Sequence, residues 1–352
     1  MQALIQKLAR DRNLDNDELL YLLENIGRPE HESDRNTLFF AARACSQQTF
    51  GNRIYIRGLI EFTNYCKNNC YYCGIRAGNP AASRYRLTCE DILASCREGY
   101  RLGLHTFVLQ GGEDPGRSHQ EIRDIVSAIR QEFPDCAITL SIGEHSFEAY
   151  KMWFDAGADR FLLRHETADN THYRQLHPQP LSLDHRKECL WNLKRIGYQT
   201  GTGFMVGSPG QTAGHILKDL RFIKELSPQM IGIGPFIPHK DTPLAYAPAG
   251  TLEQTLILIA ILRLMHPAAL IPATTALGTI APDGREQGIL CGANVVMPNL
   301  SPANVRKKYM LYDNKLSDGA EAAENLAALE RRFAAIDYKI DFGRGDHPGF
   351  KK

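Results

Sequence analysis

Cys66, Cys70 and Cys73 stand in the stretch EFTNYCKNNCYYCGIRAG with three and then two residues between them. Lys67, Asn68 and Asn69 make this loop polar, so the thiols do not read as small buried hydrophobes. A structural zinc site takes four ligands, usually paired cysteines or cysteines with histidines. Here no histidine lies within thirty residues of Cys73, and Cys89 and Cys96 fall on a predicted helix away from the loop. Thiolates otherwise favour iron–sulfur clusters. A [4Fe–4S] cubane on three cysteines keeps one iron open, and an open iron can take a small chelating ligand that carries an amino and a carboxylate group.

Such a loop needs a frame. The chain has 352 residues, 43% apolar and 23% charged, with a formal net charge of +1. That balance suits a sizeable core and argues against nucleic acid or an anionic membrane as the main partner. Residues 1–50 read as a helical extension, with Leu4, Ile5, Leu8, Leu19, Leu20 and Leu23 at helical spacing. From there short apolar runs alternate with amphipathic stretches. The runs are Ile54–Phe62, Thr106–Gln110, Ala137–Ile142, Arg160–Arg164, Gly203–Val206, Met230–Gly234, Leu270–Thr274 and Asn294–Met297. Thr88 with Asp91, and Ser118 with Glu121, read as capping boxes, and Gly157 and Gly197 as helix C-caps. Eight βα units with uniformly apolar strands predict an α/β fold, a (β/α)8 TIM-type barrel over 51–310. Residues 311–352 read as a C-terminal helix, Ala320–Ala335, and a polar tail.

In a parallel barrel the chemistry sits at the C-terminal strand ends. The unusual residues gather there: the cysteine loop after strand 1, QGGED (110–114), SIGE (141–144), RHET (164–167), GSPGQT (207–212), GPFIPH (234–239) and PATTA (272–276). The C-x3-C-x2-C pattern, with Tyr72 before its last cysteine, resembles the signature of the radical-SAM superfamily. Its ligand is S-adenosylmethionine (SAM), which one electron from the cluster cleaves to a carbon radical. Gly111 and Gly112 let backbone carbonyls approach the SAM amino group. Ser141 can hydrogen-bond a ribose or a carboxylate, and Glu166 suits ribose hydroxyls or an ammonium. Arg186 can fork onto the SAM carboxylate; on its own it reads as a solvated helix face. His165 and His239 read as structural, and no side chain is assigned as a catalytic acid, base or nucleophile.

The longer blocks are more specific. IEFTNYCKNNCYYCGIR, VLQGGEDP, AGADRFLLRHETA, GTGFMVGSPGQT, MIGIGPFIPHKDTPLA, IPATTALGTIAPDGRE and CGANVVMPNLSP run in order over about 54–312. They resemble the HydE family of radical-SAM [FeFe]-hydrogenase maturases. The resemblance implies one [4Fe–4S] cluster on Cys66, Cys70 and Cys73, and SAM held with help from Ser141, Glu166 and Arg186. It implies a small cysteine-ligated iron carbonyl–cyanide substrate, a partner maturase that supplies it, a scaffold GTPase and a reductant protein. Arg164, Thr274, Thr275, Tyr309 and Tyr312 are expected to hold that substrate, with Arg164 in need of an anion and at most one of the two threonines facing the lumen unless the strand bends at its end. Some members carry a second cluster on C-terminal cysteines; no cysteine follows Cys291 here, so one cluster is expected.

Two enzyme relatives compete. Biotin synthase needs thiolates at inner strand ends, where this chain has Gln110, Ser141, Val206 and Thr274. A methylornithine synthase uses one cluster and differs only in its cavity. An iron–sulfur scaffold or electron carrier would saturate every iron with cysteine. Nine cysteines with no secretory signal point to a reducing cytoplasm. The longest apolar run, Leu256–Leu262, is too short to span a membrane and reads as a buried helix.

Overall fold

A computed structural model describes residues 1–317 and 323–350. Its strands in chain order are β1 Arg53–Ile56, β2 Gly58–Thr63, β3 Thr106–Gly111, β4 Ala137–Ser141, β5 Arg160–Leu162, β6 Gln199–Thr202, β7 Met205–Val206, β8 Met230–Ile231, β9 Gly234–Pro235, β10 Val295–Val296 and β11 Lys339–Asp341. Six of them run β2-β3-β4-β5-β6-β8, and every pairing is parallel. Bridges Met230↔Leu270 and Pro272↔Val295 carry the ring onward, and β10 pairs with β1. The ring therefore closes as an eight-stranded parallel α/β barrel, with helices between successive strands.

The barrel strands are short and buried on both faces, as parallel strands covered by helices are. Four features differ from the sequence reading. The first apolar run is two strands that break at Arg57, so one end joins β10 and the other β3. β6, the strand expected from Gly203, begins four residues earlier at Gln199. Its Gln199, Thr200 and Thr202 are polar yet buried, which hid it from a search for apolar runs. Strand 7 is reduced to the bridges at Leu270 and Pro272.

The fourth difference is at the C-terminus. The expected helix is a 3-10 turn, Ala323–Asn325, running into Leu326–Ala334; residues 320–322 lie outside the described residues. The tail is not merely polar: β11 pairs with β1, and the chain then crosses the barrel base. There Arg160 and Gln199 both donate to Asp346, at 2.7 and 2.6 Å.

Both expected capping boxes form, at Thr88 and Ser118, and Gly197 caps its helix at φ 109°. Helix Leu252–Met265 is buried nearly all round because the long N-terminal helix Glu32–Phe50 packs across it. Its apolar run thus serves the core. No helix among the described residues is long and apolar enough to cross a membrane.

Candidate functional site

A cavity of about 350 Å³ opens at the C-terminal end of the barrel. Cys66, Cys70, Tyr72, Cys73, Gly111, Gly112, Ser141, Glu166 and Arg186 line it, and so do Arg164, Thr274, Thr275, Tyr309 and Tyr312. The cysteines and every residue expected to bind SAM or substrate therefore face one space.

The cysteine loop has no helix or strand between Asn64 and Tyr85. Side chains hold it instead. Asn64 donates to Ser83 and Lys308 carbonyls, at 2.8 and 2.7 Å. Asn79 donates to the Gly74 carbonyl at 2.7 Å. Gly112 is required by this packing: a Cβ there would lie 2.3 Å from the Tyr65 carbonyl oxygen and 2.6 Å from Cys66 Cβ. The glycine pair thus lets strand 2 pass directly beneath the cysteine loop, a role the sequence reading had given only to ligand approach.

All three thiols sit half-buried on the cavity wall, and burial pushes each one up, Cys73 to about 12. Their anions need nearby positive charge to form, and iron supplies it. Among the described residues no three His, Cys, Asp or Glu side chains converge tightly enough for a single metal ion. Three thiols on one cavity wall fit the three-cysteine ligation of a four-iron cluster. The other cysteines are buried elsewhere, apart from Cys89 on its exposed helix.

Tyr72 is locked against His177, with its hydroxyl 3.2 Å from Nε2. His177 Nδ1 lies 3.1 Å from the Tyr173 carbonyl and donates to it, so Nε2 is the acceptor for the phenol. Burial, with Arg186 beside it, pushes His177 down to about 3, which keeps the ring neutral.

The charged residues come in pairs. Arg186 Nε donates to Glu144, and its Nη1 donates to the Arg164 carbonyl at 2.8 Å. Nη2 makes no hydrogen bond to a protein group among the described residues. Arg186 is therefore a buried, neutralised cation and not the solvated helix residue its sequence position suggested. Arg164 corrects a second expectation. Its strand ends at Leu162, its side chain is 30% exposed, and Glu166 Oε2 lies 3.0 Å from Nη2. The anion that Arg164 was expected to need from a ligand is supplied by Glu166. The contact is an ion pair by distance only; its angle makes no hydrogen bond, so both atoms keep unused hydrogen-bonding capacity. Glu166 holds a left-handed backbone, φ 66°, beside buried His165. Strain of this kind persists where the surroundings over-determine it.

Thr274 and Thr275 both line the cavity, because the chain turns at Thr274 into helix Thr275–Ile280 and strand alternation ends. This bend at the strand end is the exception under which both threonines were expected to reach the lumen. Thr274 Oγ1 is buried without a hydrogen bond, and Glu113 Oε2 has only its ion pair with Lys67. These oxygens, with Glu166 Oε2 and the Arg164 nitrogens, form a polar wall that a zwitterionic ligand such as SAM would complete.

Four cavity or support residues escaped the sequence reading. The first is Glu113, in the QGGED turn. It is buried, accepts from the Glu144 amide at 2.9 Å and lies 3.3 Å from Lys67 Nζ. Glu144 is the Arg186 partner. Glu61 and Lys315 form an ion pair of 2.7 Å within the cavity wall, with side chains 0% and 6% exposed. A carboxylate inside the apolar run IRGLIEFT was the available signal for Glu61; Lys315, in a polar tail, had none.

The comparisons bear on this geometry directly. The family model for the Radical SAM superfamily matches residues 60–223. The [FeFe] hydrogenase maturase subunit HydE of Thermotoga maritima is 48% identical over 279 residues, 79% of either chain. The chain belongs to the HydE family of radical-SAM proteins. Membership brings a [4Fe–4S] cluster and SAM as cofactors, and the thiols and polar wall fit both. A 3-methylornithine synthase of Methanosarcina barkeri is 32% identical over 313 residues, covering 88% of this chain and 87% of the relative. Among solved structures, methylornithine synthase superposes with TM-score 0.83 at 28% identity, covering 96% and 97% of the two chains. The maturase HydG of Carboxydothermus hydrogenoformans gives 0.80 at 20% identity, covering 96% of this chain and 78% of HydG, a likeness of fold alone.

Proposed function

We propose that this HydE-family chain helps to assemble the two-iron site of [FeFe]-hydrogenase, acting on a small cysteine-ligated iron carbonyl–cyanide unit. The observation that carries the reading is the 48% identity to HydE over 79% of both chains. The cavity supports it. Cys66, Cys70 and Cys73 would hold the cluster. Arg186, through Nη2, and Ser141 would take polar ends of SAM, Glu166 its ribose or ammonium, and Tyr72 would wall the site. Bound together, cluster and SAM supply one-electron cleavage of a sulfonium and a carbon radical. Arg164, Thr274, Thr275, Tyr309 and Tyr312 would hold the substrate beyond. The Tyr309 hydroxyl accepts from Gln110 Nε2 at 3.4 Å, which leaves its own proton to donate into the cavity. The partners of this reading are a maturase that supplies the iron unit, a scaffold GTPase and a reductant protein, in a reducing cytoplasm that suits nine free cysteines.

A second reading is 3-methylornithine synthesis, favoured by the TM-score of 0.83 over nearly the whole chain. One anaerobic experiment separates them. The reconstituted protein, SAM and dithionite are supplied either with lysine or with apo-hydrogenase and the partner maturases. Activation of hydrogenase with no 3-methylornithine formed is the expected result; 3-methylornithine with no activation would overturn the proposal.

A further inference from the structure

The cysteine loop is closed by one side chain that the functional reading leaves unused. Arg84 Nη1 donates to the carbonyls of Asn64 and Ile75, at 2.5 and 2.8 Å. Its Nη2 donates to those of Arg76 and Asn79, at 2.6 and 3.4 Å. One guanidinium therefore ties the end of β2 to three carbonyls in the six residues after Cys73. A planar fork with five donors can do this, and an ammonium cannot. The same cation sits against the carbonyls of Ile75 and Arg76, two and three residues after Cys73. Positive charge is thus fixed on the loop that carries the three sulfurs.

We propose that Arg84 is a positioning residue for the cluster: its fork holds the loop in a ligand-ready shape, and its charge raises the cluster's reduction potential. The inference rests on the cluster being bound by Cys66, Cys70 and Cys73. An iron–sulfur potential follows net charge and hydrogen bonding around the sulfurs. A fixed cation on a half-buried loop stabilises the reduced, more negative state over the oxidised one. Arg84 makes no cavity contact, so it acts through the loop and the field.

The test compares wild type, Arg84→Gln and Arg84→Lys, each reconstituted anaerobically without SAM. The readouts are iron content, the midpoint of the reduced-cluster EPR signal in a redox titration, and the rate of iron loss to a chelator. Arg84→Gln is expected to titrate at a more negative potential than wild type. Arg84→Lys should keep the wild-type midpoint yet lose iron several-fold faster, because charge remains and the fork does not. A fully loaded Arg84→Gln at the wild-type midpoint, or a lysine variant that matches the glutamine variant, would overturn the proposal. If Arg84→Gln holds no cluster, the lysine variant decides: a loaded cluster at the wild-type midpoint supports the charge role, and an empty one overturns it. A wild-type protein with no iron on the three cysteines would overturn the cluster assignment itself, and is recognised by iron content before any variant is compared.

Discussion

Lys315→Met strips a buried carboxylate of its cation, and the consequence can be worked through. Lys315 and Glu61 lie 2.7 Å apart, and Asn299 donates to the other Glu61 oxygen at 2.9 Å. Removing one partner of a buried ion pair costs roughly 3–5 kcal/mol. Lys315→Met combined with Glu61→Gln removes both charges, keeps an acceptor for Asn299 and should recover most of the loss. Urea unfolding followed by circular dichroism measures both variants. A single-variant deficit under about 1 kcal/mol, or a double variant no more stable than the single one, would refute the buried-pair reasoning. The double variant also isolates the cavity role, since it should fold and load its cluster while its maturation rate reports on contact with substrate.

Three further outcomes are expected. Anaerobic reconstitution should give about four irons per chain, lost on replacing Cys66, Cys70 and Cys73 by alanine; retained iron in the triple variant, or a second full complement in wild type, would contradict the single-cluster site. Arg186→Met should weaken SAM binding about ten- to a hundred-fold, the loss of one charge-assisted hydrogen bond; combining it with Glu144→Gln keeps an unpaired carboxylate from clouding the calorimetry, and unchanged affinity in that pair would remove Arg186 from the SAM site. Asp346→Asn should cost about 2–3 kcal/mol, less than a fully buried pair because its side chain is 29% exposed. Despite burial, the Arg160, Gln199 and Arg344 contacts hold Asp346 well below the usual carboxylate range. Its contribution is thus present above about pH 4 and lost as pH falls through the folded value; a wild-type-minus-variant difference that persists unchanged at pH 2 would contradict it.

Local chemistry was legible wherever one residue type in one spacing has few uses. Three cysteines without a fourth ligand limit the metal chemistry to a cluster with an open iron, whatever the fold. Thr88 with Asp91, and Ser118 with Glu121, specify helix starts because their hydrogen bonds are made within four residues. The periodicity of apolar runs counted the barrel strands correctly, since each must bury both faces. It misplaced β6 because Gln199, Thr200 and Thr202 are polar side chains inside the barrel.

What only the tertiary structure decided was the pairing of charges. Arg186 with Glu144 and Lys315 with Glu61 are separated by 42 and 254 positions along the chain. No spacing rule links such partners, because barrel closure brings strand ends and the C-terminal segment together regardless of distance along the chain. The sequence by itself determined which groups could bind a cluster and a zwitterion. The closed barrel decided which charges were already satisfied by the protein, and so which corners, such as Arg186 Nη2, remain without a protein hydrogen bond. Burial is the physical reason: in a low-dielectric wall a charge must find a partner, and only the folded chain shows whether that partner is internal.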